Sequence, residues 1–316
     1  MPTPLARKFT LSDLRAARTA GAKVAMLTCY DFTTARLMQE AGVPMLLVGD
    51  SAANVILGYD MTLPVTLAFM VEITKAVRRG APLAMVVADM PFGSYHGSVA
   101  RAVRAVCRMV QLSGCDAVKM EAAESQLPAV RELADAGVAV IAHLGLRPQA
   151  VGVLGGYKFQ GRTAAEASAI VTLAGRFAAA GAAGILLEAV PPEVGRAVVD
   201  AVAVPVIGCG AGPDCDAHVV VSHDTIGLTP RPPRFAPVVG DVATPLRAAF
   251  AEYARRIADG TYPGPEHAYA MQPGEAERLR ATTMPSSAAT EPQPSPQHRT
   301  PQPRRHAQPT ATGPQP

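Results

Sequence analysis

From Val24 onward the chain repeats one pattern: a short, continuous apolar run, an ionisable residue at its end, then a stretch with apolar residues at helical spacing. The runs are too short for helices and too uniformly apolar for a sheet with one wet face, so they read as strands buried on both sides. MLLVGDS stops at Asp50 and Ser51, LAMVVAD at Asp89, DAVKME at Lys119 and Glu121, VAVIAH at His143, and GILLE at Glu188. Between them, helices are predicted over 32–41, 66–79, 98–112, 126–136 and 164–180, with another starting at Pro191 and Pro192. A helix over 10–20, behind a Thr10 cap, precedes the first strand at 24–29.

Strand followed by helix along most of the chain is the grammar of a parallel sheet with crossover helices. Functional candidates follow strands scattered through the whole order. An open sheet would gather them at one switch point, so a (β/α)8 TIM barrel with an N-terminal helix is the expected fold class. The eighth strand is the weak point. Both 219–221 and 225–228 qualify, and neither leaves room for a full helix before it. The segment 144–162, LGLRPQAVGVLGGYKFQGR, is rich in glycine with little periodicity and is expected as a long binding or lid loop. From Met271 no aromatic appears and ten prolines are interspersed with Ser, Thr, Gln and Ala. The expected organisation is a catalytic domain over 1–270 and a disordered Pro-rich tail over 271–316.

Composition narrows the function classes. Aromatics are 5% with no Trp and the net charge is +3, so the basic stripe with interleaved aromatics of a nucleic-acid binder is missing. No apolar run approaches the roughly 18 residues of a membrane span, and the N-terminus lacks an apolar signal segment, which points to a cytoplasmic protein without a membrane partner. The five cysteines are odd in number and show no C-x-x-C spacing, and they read as reduced thiols.

The strand ends carry the candidate chemistry. Asp50 and Asp89 occupy corresponding places in two repeats, and two carboxylates brought together at a barrel mouth repel unless a proton or cation lies between them. A hard cation such as Mg²⁺ suits that arrangement; the alternative is a pair of solvated rim acids or helix caps. Lys119 and Glu121, two apart on a strand, share a face. At the lumen mouth Lys119 could hold a substrate carboxylate, with Glu121 near the metal or its waters; the alternative is a structural ion pair. Glu188 should reach the same rim from the opposite side, where partial dryness raises a carboxylate's pKa toward that of a general base. His143 reads equally as a structural histidine or an additional contact to ligand. Together these groups could chelate a 2-oxo acid, remove a proton beside its carbonyl and stabilise the enolate.

A set of ordered motifs then carries a resemblance: TCYD (28–31), VGDS (48–51), TLPVT (62–66), ADMPF (88–92), VKME (118–121), HLGLRPQ (143–149), GGYKFQGR (155–162), LLE (186–188), IGCGAG (207–212) and YPGPEH (262–267). The chain resembles the ketopantoate hydroxymethyltransferase (3-methyl-2-oxobutanoate hydroxymethyltransferase) family over about 9–267. The resemblance implies Mg²⁺, one per subunit, bound by Asp50 and Asp89 with Glu121 completing its surroundings. It implies substrate contacts from Asp50, Ser51, Asp89 and Lys119, and Glu188 as proton acceptor. It further implies hydroxymethyl transfer from 5,10-methylenetetrahydrofolate to 3-methyl-2-oxobutanoate through a Mg-stabilised enolate, giving 2-dehydropantoate in the first step of pantothenate biosynthesis. Family members are cytoplasmic homo-oligomers, commonly homodecamers.

The sequence also departs from the family's pattern. The usual GHDST reads GYDMT (58–62), placing Tyr59 where a His is usual. Ala122 and Ala123 replace glycines, CDGQ reads CDAH (215–218) with Ala217, and PRPPRFAP (230–237) replaces a Gly-rich approach. The last puts the eighth repeat and the folate contacts at issue. Two other readings remain: a related metal-dependent barrel that cleaves carbon–carbon bonds of 2-oxo acids without folate, and a scaffold acting through its tail.

Overall fold

A computed structural model of the chain describes residues 4–283, built around eight parallel strands closed into a barrel in the order β1 to β8. The strands are β1 (Val24–Thr28), β2 (Met45–Val48), β3 (Met85–Asp89), β4 (Ala117–Glu121), β5 (Val140–Gly145), β6 (Gly184–Glu188), β7 (Val206–Cys209) and β8 (Ala217–Val220). β8 closes the barrel on β1, with Ala217 opposite Val24. The helices are α1 (Leu11–Thr19), α2 (Phe32–Glu40), α3 (Ala52–Val55), α4 (Leu67–Gly80), α5 (Val99–Ser113), α6 (Leu127–Asp135), α7 (Val151–Leu154), α8 (Ala164–Ala179), α9 (Pro192–Ala201), α10 (Ser222–Thr225), α11 (Ala243–Ala258) and α12 (Glu275–Thr283). Their starts follow local chemistry. Asp31, Thr66, Ser98 and Thr163 each accept a first-turn backbone N–H, at the places where apolar periodicity begins.

Strand alternation sorts side chains into two cores. Met26, Met45, Leu47, Met85, Val87, Ile141, Leu186, Ile207 and Val219 fill the lumen. Their neighbours, such as Leu46, Val86, Val118, Ala142 and Ile185, face the helix layer. Two residues beyond the last apolar lumen position on each strand stand Asp89, Lys119, His143, Glu188 and Cys209, and Glu121 stands four beyond Ala117. With a period of two, each of them shares the lumen face, so the polar groups form the top layer of the barrel filling.

The opposite end is closed by α1, whose Leu14 joins the lumen core. Arg18 at the end of α1 donates to the carbonyls of Val199 and Val202 and pairs with Asp216, whose Oδ2 also accepts the Val206 N–H at 2.8 Å. One carboxylate therefore ties α1, α9 and the starts of β7 and β8. Asp116 makes the corresponding clasp before β4, accepting from the Val86 N–H and from Lys8.

The structure differs from expectation at several places. The eighth strand is Ala217–Val220, overlapping the first candidate, and the second candidate begins in α10. Only the turn at 210–216 joins β7 to β8, so the crossover helix for which the sequence left no room is absent there. The 144–162 segment is not structureless: β5 runs to Gly145, a 3-10 turn spans Pro148–Ala150 and α7 follows. Within the segment read as a disordered tail, Glu275–Thr283 is helical. Glu275 and Glu277 occupy its first turn and Arg280 its last, and Arg278 pairs with Glu275, so local charge placement supports a helix that buries no residue. The remainder of that tail, 284–316, lies outside the described residues. The chain divides into two compact units, the first ending at Ala251 and the second starting at Glu252. The barrel lies entirely in the first.

Asp216→Ala would strand the Arg18 guanidinium and the Val206 N–H together. Breaking a largely buried pair from one side is expected to lower unfolding free energy by about 3 kcal/mol, read as a lower urea midpoint at unchanged m-value.

Candidate active site

A cavity of about 450 Å³ opens at the carboxyl ends of the strands, and its walls include Asp50, Ser51, Asp89, Lys119, His143 and Glu188. Each arrives there for a local reason. Asp50 lies two residues beyond β2, after Gly49, where a Cβ would stand 2.6 Å from the Ser51 hydroxyl. That hydroxyl is 2.9 Å from the buried Tyr30 phenol. The Asp50 N–H donates to Asp89 Oδ2 at 3.0 Å, joining the ends of β2 and β3. Asp89 is itself the last residue of β3.

Lys119 is buried, with Nζ 3.2 Å from Asp89 Oδ1 and 3.1 Å from His143 Nδ1. Its ion pair is thus with Asp89, not with Glu121 as the structural alternative supposed. The Asp89 contact has ion-pair distance without hydrogen-bond alignment, and Oδ1 is a buried acceptor with no hydrogen bond among the described residues. An ammonium only donates, so His143 Nδ1 accepts and the ring proton sits on Nε2. That Nε2 lies 3.2 Å from Glu188 Oε2, close to but off the line of a hydrogen bond.

Electrostatics follow from dryness. Burial pushes Asp89 up to about 7, against the pull of Lys119, and raises Glu188 to about 7 and Glu121 to about 8. Burial alone would lower Lys119, but the carboxylates of Asp89, Asp50, Glu121 and Glu188 together raise it above its ordinary value. Burial, with Lys119 adjacent, holds His143 well below the ordinary histidine value and therefore neutral. Glu188 keeps 19% of its side chain open to the cavity. The next residue, Ala189, is buried with φ of 49°, a left-handed conformation uncommon for a residue with a Cβ. Its N–H bonds the Cys209 carbonyl and its own carbonyl accepts from Gln160, and these contacts hold the turn that aims Glu188.

Glu121 does not reach the cavity wall. Its Oε1 accepts the Gln149 N–H at 2.8 Å, and the Gln149 amide in turn donates to Asp50 Oδ2 at 2.8 Å. Among the described residues, no three His, Cys, Asp or Glu side chains are gathered closely enough to hold a metal ion. Of the three expected metal residues, Asp50 and Asp89 line the cavity and Glu121 lies behind Gln149. Asp89 Oδ1, which makes no hydrogen bond although Lys119 Nζ stands 3.2 Å away, and the neighbouring Asp50 carboxylate are hard oxygen donors that suit Mg²⁺, which takes one or two carboxylates and completes its shell with water and substrate. Sequence reasoning misses Gln149 and Tyr95, whose phenol donates to Gln149 at 2.8 Å. A buried glutamine in a loop carries no periodic signature.

Residues 8–265 match the ketopantoate hydroxymethyltransferase family. The chain belongs to that family. A relative named 3-methyl-2-oxobutanoate hydroxymethyltransferase from Thermobifida fusca (strain YX) is 45% identical over 264 residues, covering 84% of this chain and 94% of the relative. One of the same name from Heliobacterium modesticaldum is 43% identical over 268 residues, covering 84% and 97%. Among solved structures, a phosphonopyruvate hydrolase superposes with TM-score 0.55 at 15% identity over 87% of this chain and 98% of that one. A 2,3-dimethylmalate lyase gives 0.52 at 18% over 86% and 98%. At these identities the likeness is one of fold.

Within the ketopantoate hydroxymethyltransferase pattern, the departures fall around the strand-end residues rather than on them. Tyr59 is half exposed and its carbonyl accepts from Asn54. The Ala122 N–H bonds the His143 carbonyl, and Ala217 is a regular member of β8. The eighth strand forms despite the altered 230–237 segment, which supplies Arg231, Pro233 and Phe235 to the cavity wall.

If Lys119 fixes the imidazole as described, ¹H–¹⁵N correlation spectra should show His143 as the Nε2–H tautomer, without titration between pH 6 and 8. A protonation step in that range would contradict the assignment.

Proposed function

We propose that the protein transfers a hydroxymethyl group from 5,10-methylenetetrahydrofolate to 3-methyl-2-oxobutanoate, giving 2-dehydropantoate. The observation that carries this reading is the opposition of Glu188, a carboxylate with a pKa near 7, to the Asp50, Asp89 and Lys119 cluster across one small cavity. The names of the relatives supply the substrate and the reaction class.

Lys119 and the Ser51 hydroxyl would hold the 2-oxo acid's carboxylate and carbonyl end, with Asp50 and Asp89 as the ligands of Mg²⁺. When bound, Mg²⁺ would supply the positive charge that stabilises an enolate oxygen. Glu188 takes the C3 proton, with the neutral His143 ring packed beside its carboxylate. The deprotonated C3 attacks the methylene carbon of the folate, and water supplies the hydroxyl oxygen as tetrahydrofolate leaves. Glu121, behind Gln149, supports the Asp50 side without touching substrate.

The catalytic domain in this reading is 1–270, which contains the whole of the family match. Among the described residues no helix is long and apolar enough to cross a membrane, in keeping with work in the cytoplasm. Leu246, Phe250, Tyr253 and Ile257 form an exposed apolar stripe along α11, which supports self-association, as a homodecamer in this reading.

Product analysis tests the reaction: 2-dehydropantoate should form only when both substrates are present, and cleavage of the 2-oxo acid without folate would sink the assignment. Glu188→Gln should slow turnover by at least about 100-fold. In the parent enzyme, turnover should fall as pH drops through about 7, as the base protonates. Stability should move the other way. The folded value near 7 lies above the ordinary 4.5, so ionising Glu188 lowers stability as pH rises between them, and the deficit persists above pH 7. At pH 8 the Gln variant should therefore melt no lower than the parent.

A further inference from the structure

We propose that Gln149 is a positioning residue that fixes the plane of the Asp50 carboxylate, holding one oxygen and turning the other to the cavity, and so sets the affinity of the Asp50 and Asp89 pair for a divalent cation. The inference rests on the proposed function, which makes those carboxylates the ligands.

Gln149 is 7% exposed and every polar group it carries beyond its carbonyl is engaged. Its amide nitrogen donates to Asp50 Oδ2 at 2.8 Å and to the Met90 carbonyl at 3.0 Å. Its amide oxygen accepts from the Tyr95 phenol at 2.8 Å, and its backbone N–H donates to Glu121 Oε1 at 2.8 Å. The Met90 carbonyl can only accept, so the amide cannot be flipped, and Asp50 must meet the N–H edge rather than the oxygen. The terminal torsion of an aspartate is broad and nearly two-fold, so the carboxylate has little intrinsic preference for its plane. The Gln149 donor supplies that preference. It draws Oδ2 toward the β3 and β4 ends and leaves the other oxygen for the cavity beside Asp89.

Tyr95, 3% exposed, holds the amide from behind. Tyr95, Gln149 and Asp50 form a chain from the loop after β3, through the loop after β5, to the end of β2. Replacing the Gln149 side chain leaves the backbone bond to Glu121 in place but also frees the Met90 carbonyl and the Tyr95 phenol, so metal affinity and stability are read separately.

The test titrates the full chain with Mn²⁺ alone and reads free Mn²⁺ by electron paramagnetic resonance, with melting temperatures taken in EDTA. Gln149→Leu is expected to bind Mn²⁺ about 10- to 100-fold more weakly than the parent, and Tyr95→Phe to lose less in the same direction. A purely structural role would lower the melting temperature and leave Mn²⁺ affinity unchanged, and that result overturns the proposal. Should Gln149→Leu fail to fold, Tyr95→Phe decides: weaker Mn²⁺ binding supports the chain, and parental affinity overturns it. A parent protein that binds no Mn²⁺ would overturn the two-carboxylate metal reading itself, and this proposal with it.

Discussion

Lys119 is a buried ammonium facing more carboxylates than it can neutralise, and the top of the barrel is arranged around that imbalance. Asp89 lies against it, Asp50 and Glu121 stand on the same side and Glu188 stands across the cavity. Burial drives Asp89, Glu121 and Glu188 toward neutrality, and the neighbouring Asp50 carboxylate adds to it at Asp89 and Glu121. In the proposed function the same deficit of positive charge would be met by a cation between Asp50 and Asp89 and by the proton that Glu188 takes up. A site poised in this way loses folding stability in exchange for chemistry, and the apolar lumen beneath it and the Arg18 and Asp216 clasp at the base hold the barrel together without it.

The imbalance arises from strand geometry. Parallel strands in register place Asp89 opposite Lys119, Glu121 opposite His143 and Glu188 opposite Cys209. Period-two alternation then turns each of these side chains inward, above Val87, Ala117, Ile141, Leu186 and Ile207. The candidate residues are legible in the amino-acid sequence for the same reason. An ionisable residue ending a doubly buried strand has only the lumen mouth or the helix layer to enter, and the helix layer excludes it. The helices are legible through Thr66, Ser98 and Thr163, whose side chains cap helices where the apolar periodicity starts.

Loops and long-range partnerships leave no such trace. Beyond its place at the end of the HLGLRPQ motif, nothing periodic marks Gln149 as buried, because its partners Asp50, Met90, Tyr95 and Glu121 come from the ends of β2, β3 and β4. Glu121 shares the inward face with Lys119 as expected, yet the Gln149 N–H draws its carboxylate away from the cavity, a choice set by a loop and not by the strand period. Val219 reads as part of a strand, but with β7 and β8 joined by a turn alone no helix pattern frames that strand. Membership of the ketopantoate hydroxymethyltransferase family fits this division in part: TCYD, VGDS, ADMPF, VKME, HLGLRPQ, LLE and IGCGAG fall at strand ends, and the departures at Tyr59 and 230–237 fall in loops.

On the proposed function, this charge arrangement removes a proton from C3 of a 2-oxo acid. The most direct measurement follows ¹H–²H exchange at C3 of 3-methyl-2-oxobutanoate by NMR in deuterated buffer, with Mg²⁺, with EDTA, and without folate. Exchange should require both protein and Mg²⁺ and stop on chelation. Exchange unaffected by EDTA, or none with folded, metal-loaded protein even after folate is added, would contradict the proposed function.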